Sequence, residues 1–166
     1  MCYINSMKKD KEKEPGQIIT TNREAWHNYF IQDTYEAGIV LEGCEVKSLR
    51  DKQVSLAGSF ARFEKGALWL YKVHIAPYLM GNRENPDPLR DRKLLLHKSQ
   101  LSKLKAKMDE KGLAIIPLRM YFNERGIAKV EIAVAQGKKF HDKRADIKKA
   151  TAGREIDRAI KSKNRN

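Results

Sequence analysis

From Tyr29 the chain alternates with a period of two. Tyr29, Ile31, Tyr35, Ala37, Ile39 and Leu41 fall on one face of an extended segment, and Gln32, Thr34 and Glu36 point the other way. Val46 and Leu49, three apart in GCEVKSLR, fit one or two helical turns capping something apolar. A hairpin follows: SFARFE, a Lys65-Gly66 turn, then ALWLYKVHI, with Trp69, Tyr71, Val73 and Ile75 sharing a face. Residues 81–92, GNRENPDPLRDR, read as a polar loop, and Lys93 to His97 as a short apolar strand. Over 98–111 the spacing of Leu101, Leu104 and Met108 predicts a helix, with Ser99 as cap and Gly112 as stop. Leu113–Phe122 and Ile127–Ala135 are two further strands joined by NERG. Pro117 in the first calls for an edge or a bulge. In the second, Val130, Ile132 and Val134 turn inward while Lys129 and Glu131 turn outward.

About six strands on short turns with one intervening helix predict a mainly β fold, a small closed antiparallel barrel with accessory helices. The barrel is assigned to residues 22–136. Residues 1–21 are expected to be a disordered extension, because Lys8 to Glu14 alternate in sign and Pro15-Gly16 breaks any helix. Residues 137–166 form a basic tail with no continuous apolar stripe. It is expected to be disordered alone and helical once counter-charge is supplied.

Charge changes the picture more than composition does. Lys and Arg number 34 against 21 Asp and Glu, a formal net charge of +13. Residues 137–166 carry 11 basic and 4 acidic side chains, more than half of that excess. A basic extension beside a milder body points to one polyanionic partner held by two surfaces. No apolar run approaches the ~18–20 residues that cross a bilayer, and no secretory h-region is present, so a cytosolic protein is expected.

Enzyme chemistry finds little support. His27, His74, His97 and His141 have no partners at metal-ligand spacing, and two cysteines, Cys2 and Cys44, make neither a disulfide scaffold nor a closed zinc site. His74 and His97 flank strands and suit structural roles. His27 and His141 lie in basic neighbourhoods, where stacking or phosphate contact competes evenly with such a role. Asp142 and Asp146 are spaced among lysines and arginines as charge balance, and no phosphate-binding glycine loop or nucleophile elbow occurs. No cofactor or metal is expected. An aromatic-bearing barrel with a basic loop and tail reads as a nucleic-acid-binding protein.

Three segments carry a resemblance. NREAWHNYFIQDTYEAGIVLEGCEVKSLR, DPLRDRKLLLHK (87–98) and GKKFHDKRADIKK (137–149) resemble, in order and separation, the SsrA-binding protein family, SmpB. The resemblance implies an oligonucleotide-binding-type barrel that grips the tRNA-like domain of transfer-messenger RNA and carries it to stalled ribosomes. The tail would enter the vacant message channel. It implies that Asn22, Glu36 and Leu95 grip the tRNA-like domain, and that His27 lies toward the decoding centre. Gly137 and His141 would mark tail entry, coupled indirectly to elongation factor Tu. Asp142, Lys143 and Arg144 match the tail's DKR motif, preceded by Lys138 and Lys139. The loop cations Arg83, Arg90 and Arg92, with Lys93, are expected to meet phosphates. Trp26 departs from the family, standing where relatives carry a basic residue. The N-terminus reads as an extended start, with Met7 an alternative initiator. Two other readings compete: a ribosomal or general single-strand-binding protein, and a nuclease using His27 or His141.

Overall fold

The computed structural model describes residues 17–81, 85–108 and 112–138. In chain order these form β1 (Ile18–Thr21), α1 (Arg23–Asn28), β2 (Tyr29–Ile39), α2 (Gly43–Arg50), β3 (Val54–Ser55), β4 (Phe60–Glu64), β5 (Ala67–Tyr71), β6 (His74–Ile75), β7 (Arg92–Leu95), α3 (Lys98–Met108), β8 (Leu113–Phe122) and β9 (Ala128–Gly137). Six strands close an antiparallel ring, β8-β4-β5-β7-β2-β9 and back to β8. β1 lies outside the ring against β8, and β3 pairs with β6 in a separate small ladder. The mainly β barrel expected from the alternation is present.

The interior is filled by the inward positions of every strand, among them Ala37, Leu68, Leu70, Leu94, Met120, Val130, Ile132 and Val134. Leu49 from α2 and Leu104 from α3 are fully buried in the same core, so each helix contributes an apolar plug. A smaller second core forms on the outside of the barrel, where Ala25 of α1 covers Ile116, Leu118, Ala133 and Ala135, with Tyr29 and Ile31 packed against it.

Two bulges explain how the same strands serve both cores. One extra residue lies between Ile31 and Asp33 in β2, and another between Pro117 and Arg119 in β8. An extra residue moves every following side chain to the other face. Tyr29 and Ile31 therefore face α1, whereas Tyr35, Ala37 and Ile39, in step with them along the sequence, face the barrel interior. Pro117 lies at the bulge of an interior strand.

Two expectations are corrected. The body begins at Ile18, not Asn22: β1 pairs with β8, and Ile19 is buried in the main core. Four residues are too few for alternation to show. The second hairpin arm ends at Tyr71, because Lys72 takes a left-handed conformation (φ 56°) that breaks the strand. In β5 the core residues are Leu68 and Leu70, with Trp69 and Tyr71 half-buried, while Val73 and Ile75 are buried after the break. Of the four residues expected to share a face, Trp69 and Tyr71 lie in β5, Ile75 in β6 and Val73 in the link between them. The turn at Lys65 (φ 48°) and Gly66 (φ 74°) has the paired left-handed residues that a two-residue hairpin requires.

Candidate nucleic-acid interface

Strand register assembles one open outer face. Gly38 lies opposite both Leu95 and Lys129, and Lys129 lies opposite Tyr121. The neighbouring row runs Glu36, Glu131, Arg119 and Thr21 across β2, β9, β8 and β1. Residues two apart on a strand share a face, so these rows form a single surface. Leu95 is 52% exposed there. A Cβ on Gly38 would come within 3.3 Å of Leu95 Cβ, so glycine lets that leucine lie flat across the strand.

Glu36 is held from two sides. Its carboxylate accepts a hydrogen bond from the Tyr121 hydroxyl and lies 3.1 Å from Lys129 Nζ. Burial, together with that hydrogen bond, pushes the Tyr121 phenol well above its ordinary range, so it stays a donor. Arg119 pairs with Glu131 in the same way. The face thus presents fixed acceptors and cations around an apolar leucine.

A second surface lies at the opposite end of β2, about 20 Å from Glu36 at ~3.3 Å per residue. Trp26 and Phe30 are 56% and 46% exposed, and His27 is exposed beside them. β9 ends here, with Gly137 opposite Tyr29. Lys138 donates its backbone N–H to Asn28, reaches the Trp26 carbonyl at 3.1 Å, and sits 4.9 Å above the Phe30 ring. The basic tail therefore leaves the barrel from an aromatic corner.

The SmpB family model matches residues 19–162. The chain belongs to the SmpB family. The SsrA-binding protein of Desulforudis audaxviator is 56% identical over 151 residues, spanning 91% of this chain and 98% of that protein. That of Moorella thermoacetica is 52% identical over 147 residues, 89% of this chain and 95% of the relative. A solved chain described as "tmRNA-SmpB: a journey to the center of the bacterial ribosome" shares 56% identity at a TM-score of 0.63, covering 73% of this chain and 85% of that one.

For this SmpB chain the geometry sorts the expected contacts. Glu36 and Leu95 come together on the open face, and Lys93, two residues before Leu95, is exposed on the same side of β7. Arg92 does not join them. It is the inward neighbour of Lys93, wholly buried, with its guanidinium on Glu45 and on the carbonyls of Val73, Arg90 and Pro88. Arg90 is spent likewise, Nε and Nη2 both on Glu45, with Glu42 at 3.7 Å. The expectation that Arg90 and Arg92 meet phosphates is thereby corrected: both clamp the loop onto α2. Asn22 is also inward. Its amide caps α1 by accepting from Ala25 N–H and donates to the carbonyls of Leu56 and Pro117, so it shapes the surface from beneath. Arg83, Lys139, His141, Asp142, Lys143 and Arg144 lie outside the described residues.

Sequence reasoning did not single out Tyr121. Plain alternation in β8 places it with Ile115 inside the barrel, and only the bulge at Pro117 turns it outward. Among the described residues no cluster of His, Cys, Asp and Glu could hold a metal ion, and no helix is long and apolar enough to cross a membrane.

Proposed function

We propose that this chain is the RNA-binding adaptor of trans-translation. It binds the tRNA-like domain of transfer-messenger RNA on the open face around Glu36, Leu95 and Lys93, and delivers it to stalled ribosomes. The aromatic corner with His27, Gly137 and Lys138 faces the ribosome's decoding centre, and the tail with Lys139, His141, Asp142, Lys143 and Arg144 runs into the vacant message channel. The observation that carries the reading is that Glu36 and Leu95, far apart in sequence, meet on one surface. A carboxylate fixed by Tyr121 and Lys129 can accept from nucleobase amino groups, which makes it a reader on a basic protein. The work is binding and delivery, with no bond made or broken by the protein.

Filter binding to the tRNA-like domain tests it. Glu36→Ala is expected to weaken binding roughly tenfold even though the protein becomes more positive. Raising salt from 50 to 200 mM should weaken the wild type by roughly 10²–10³-fold, and Lys93→Ala should lower the salt slope by about one. Tighter binding by Glu36→Ala would refute a readout role. A general single-strand binder would instead purify with heterogeneous RNA.

A further inference from the structure

The hairpin β4–β5 carries an aromatic face that the Glu36 and Leu95 site does not use. Phe60 lies opposite Tyr71, their rings stacked at 5.4 Å between centroids and 16° between planes. One row along, Arg62 lies opposite Trp69, and Trp69 opposite Lys93. These are outward positions, since Ala61, Leu68, Leu70 and Leu94 between them are buried in the core. Phe60 is 37% exposed, and Arg62, Lys72 and Lys93 are exposed around it. The Lys72 ammonium stands 5.9 Å from the Phe60 ring. Phe60 and Arg62 also line both of two clefts, of about 400 and 490 Å³, and form the wall between them.

The platform is fixed before anything binds. The Tyr71 hydroxyl donates to Glu64, which pushes the Tyr71 pKa up to about 12 and ties the ring to its neighbouring strand. Three carboxylates stand nearby. Glu64 is occupied by Tyr71 and has Lys65 at 3.9 Å, Asp91 acts on Tyr71 from just before β7, and Glu24 lines the first cleft with Phe60 and Arg62. Arg62, Lys65, Lys72 and Lys93 outnumber them. A flat ring with cations at its rim matches one kind of partner: a polyanion that exposes a flat face, which is an unpaired RNA base with its flanking phosphates. The patch reaches Leu95 through Lys93, roughly 16 Å from Phe60 at the spacings of a β-sheet.

We propose that Phe60, supported by Tyr71 and flanked by Arg62, stacks on an unpaired nucleobase of the bound RNA, extending the primary site along β7 and β5 to the β4 edge. This rests on the adaptor reading above. The experiment measures the affinity of the full-length protein for transfer-messenger RNA at 50 and 200 mM salt, for wild type, Phe60→Leu, Phe60→Tyr and Glu36→Ala. Phe60→Leu keeps the apolar volume and loses the ring. It is expected to weaken binding about tenfold by the same factor at both salts, with an unchanged melting midpoint. Phe60→Tyr is expected to bind like wild type. Should Phe60→Leu lower the midpoint, Arg62→Gln carries the test, with weaker binding and a salt slope lower by about one. Phe60→Leu binding within twofold of wild type, with Glu36→Ala still impaired, would overturn the stacking inference alone. Phe60→Leu that keeps its RNA affinity but loses ribosome binding would assign the patch to the ribosome and overturn it equally. Wild type failing to bind the RNA at all would overturn the adaptor reading beneath it.

Discussion

Glu45 is 3% exposed and bears two guanidinium groups, Arg90 at 2.5 Å and Arg92 at 2.8 Å. Burial alone would push its carboxyl up. The hydrogen bond from Arg90, the backbone N–H of Glu42 and the charge of Arg92 outweigh burial and hold it below the ordinary 4.5. A depressed carboxylate contributes stability that is present above the ordinary glutamate range and is lost as pH falls through its folded value. Thermal unfolding of the wild type should therefore show stability falling as the pH drops below the ordinary value of 4.5. Glu45→Gln leaves Arg92 buried without its counter-charge, so it should be less stable at pH 7 by roughly 3–5 kcal/mol and decline less steeply below that value. A pH profile parallel to wild type would remove Glu45 as the titrating group. Arg92 also marks where residue-level reading stops. In DPLRDRKLLLHK its charge argues for solvent, yet the pleat places it inward with Leu94, and Glu45 is the counter-charge, 47 positions earlier. The outward position of Glu36 was legible, because the alternation along β2 agrees with its charge.

At the scale of elements, alternation located most strands but not their interruptions. β2, β9 and the hairpin are visible because polar and apolar residues change places every second position. The bulge in β2 is silent, because the extra residue changes the face without disturbing the pattern in the sequence, whereas Pro117 signals the one in β8. The break at Lys72 is silent as well, since lysine carries no signal for a left-handed backbone. The hairpin turn offers a direct test of conformational cost. Lys65 holds φ 48° with a full side chain, and Asn tolerates that region better. Lys65→Asn should stabilise the protein by ~0.5–1 kcal/mol. Gly66→Val, forcing a β-branched residue to φ 74°, should destabilise it by more than about 1 kcal/mol. Denaturant midpoints measure both, and equal midpoints would mean the turn is not under the stated constraint.

For the whole molecule, closure of the barrel was inferable from the number of strands and their short turns, while the strand order was not. The order depends on pairings such as β2 with β9 that no local pattern encodes. Register also moves the dividing line between body and tail. Gln136 and Gly137 pair with Phe30 and Tyr29, so the barrel runs through them and a clean cut falls after Lys138. Residues 139–166 hold 10 basic and 4 acidic side chains. A chain ending at Lys138 is expected to keep its melting midpoint and its affinity for the tRNA-like domain within a few-fold, and to lose tagging of nascent peptides in a reconstituted translation system. Loss of RNA affinity in step with tagging would place the tail in the primary RNA site and end the two-surface division.

The longest seam joins residue 29 to residue 137, and this sets a clock on the protein's own birth. At roughly 5–20 residues per second of synthesis, β2 waits several seconds before its partner strand exists. Until then half of its backbone groups have no ladder, and the apolar face meant for the barrel interior stands open. Pairings of such sequence distance also close slowly. A nascent chain whose message breaks before β9 is therefore left as an unclosed sheet with a bare edge, ready for a protease. The barrel closes only once residue 137 has been made.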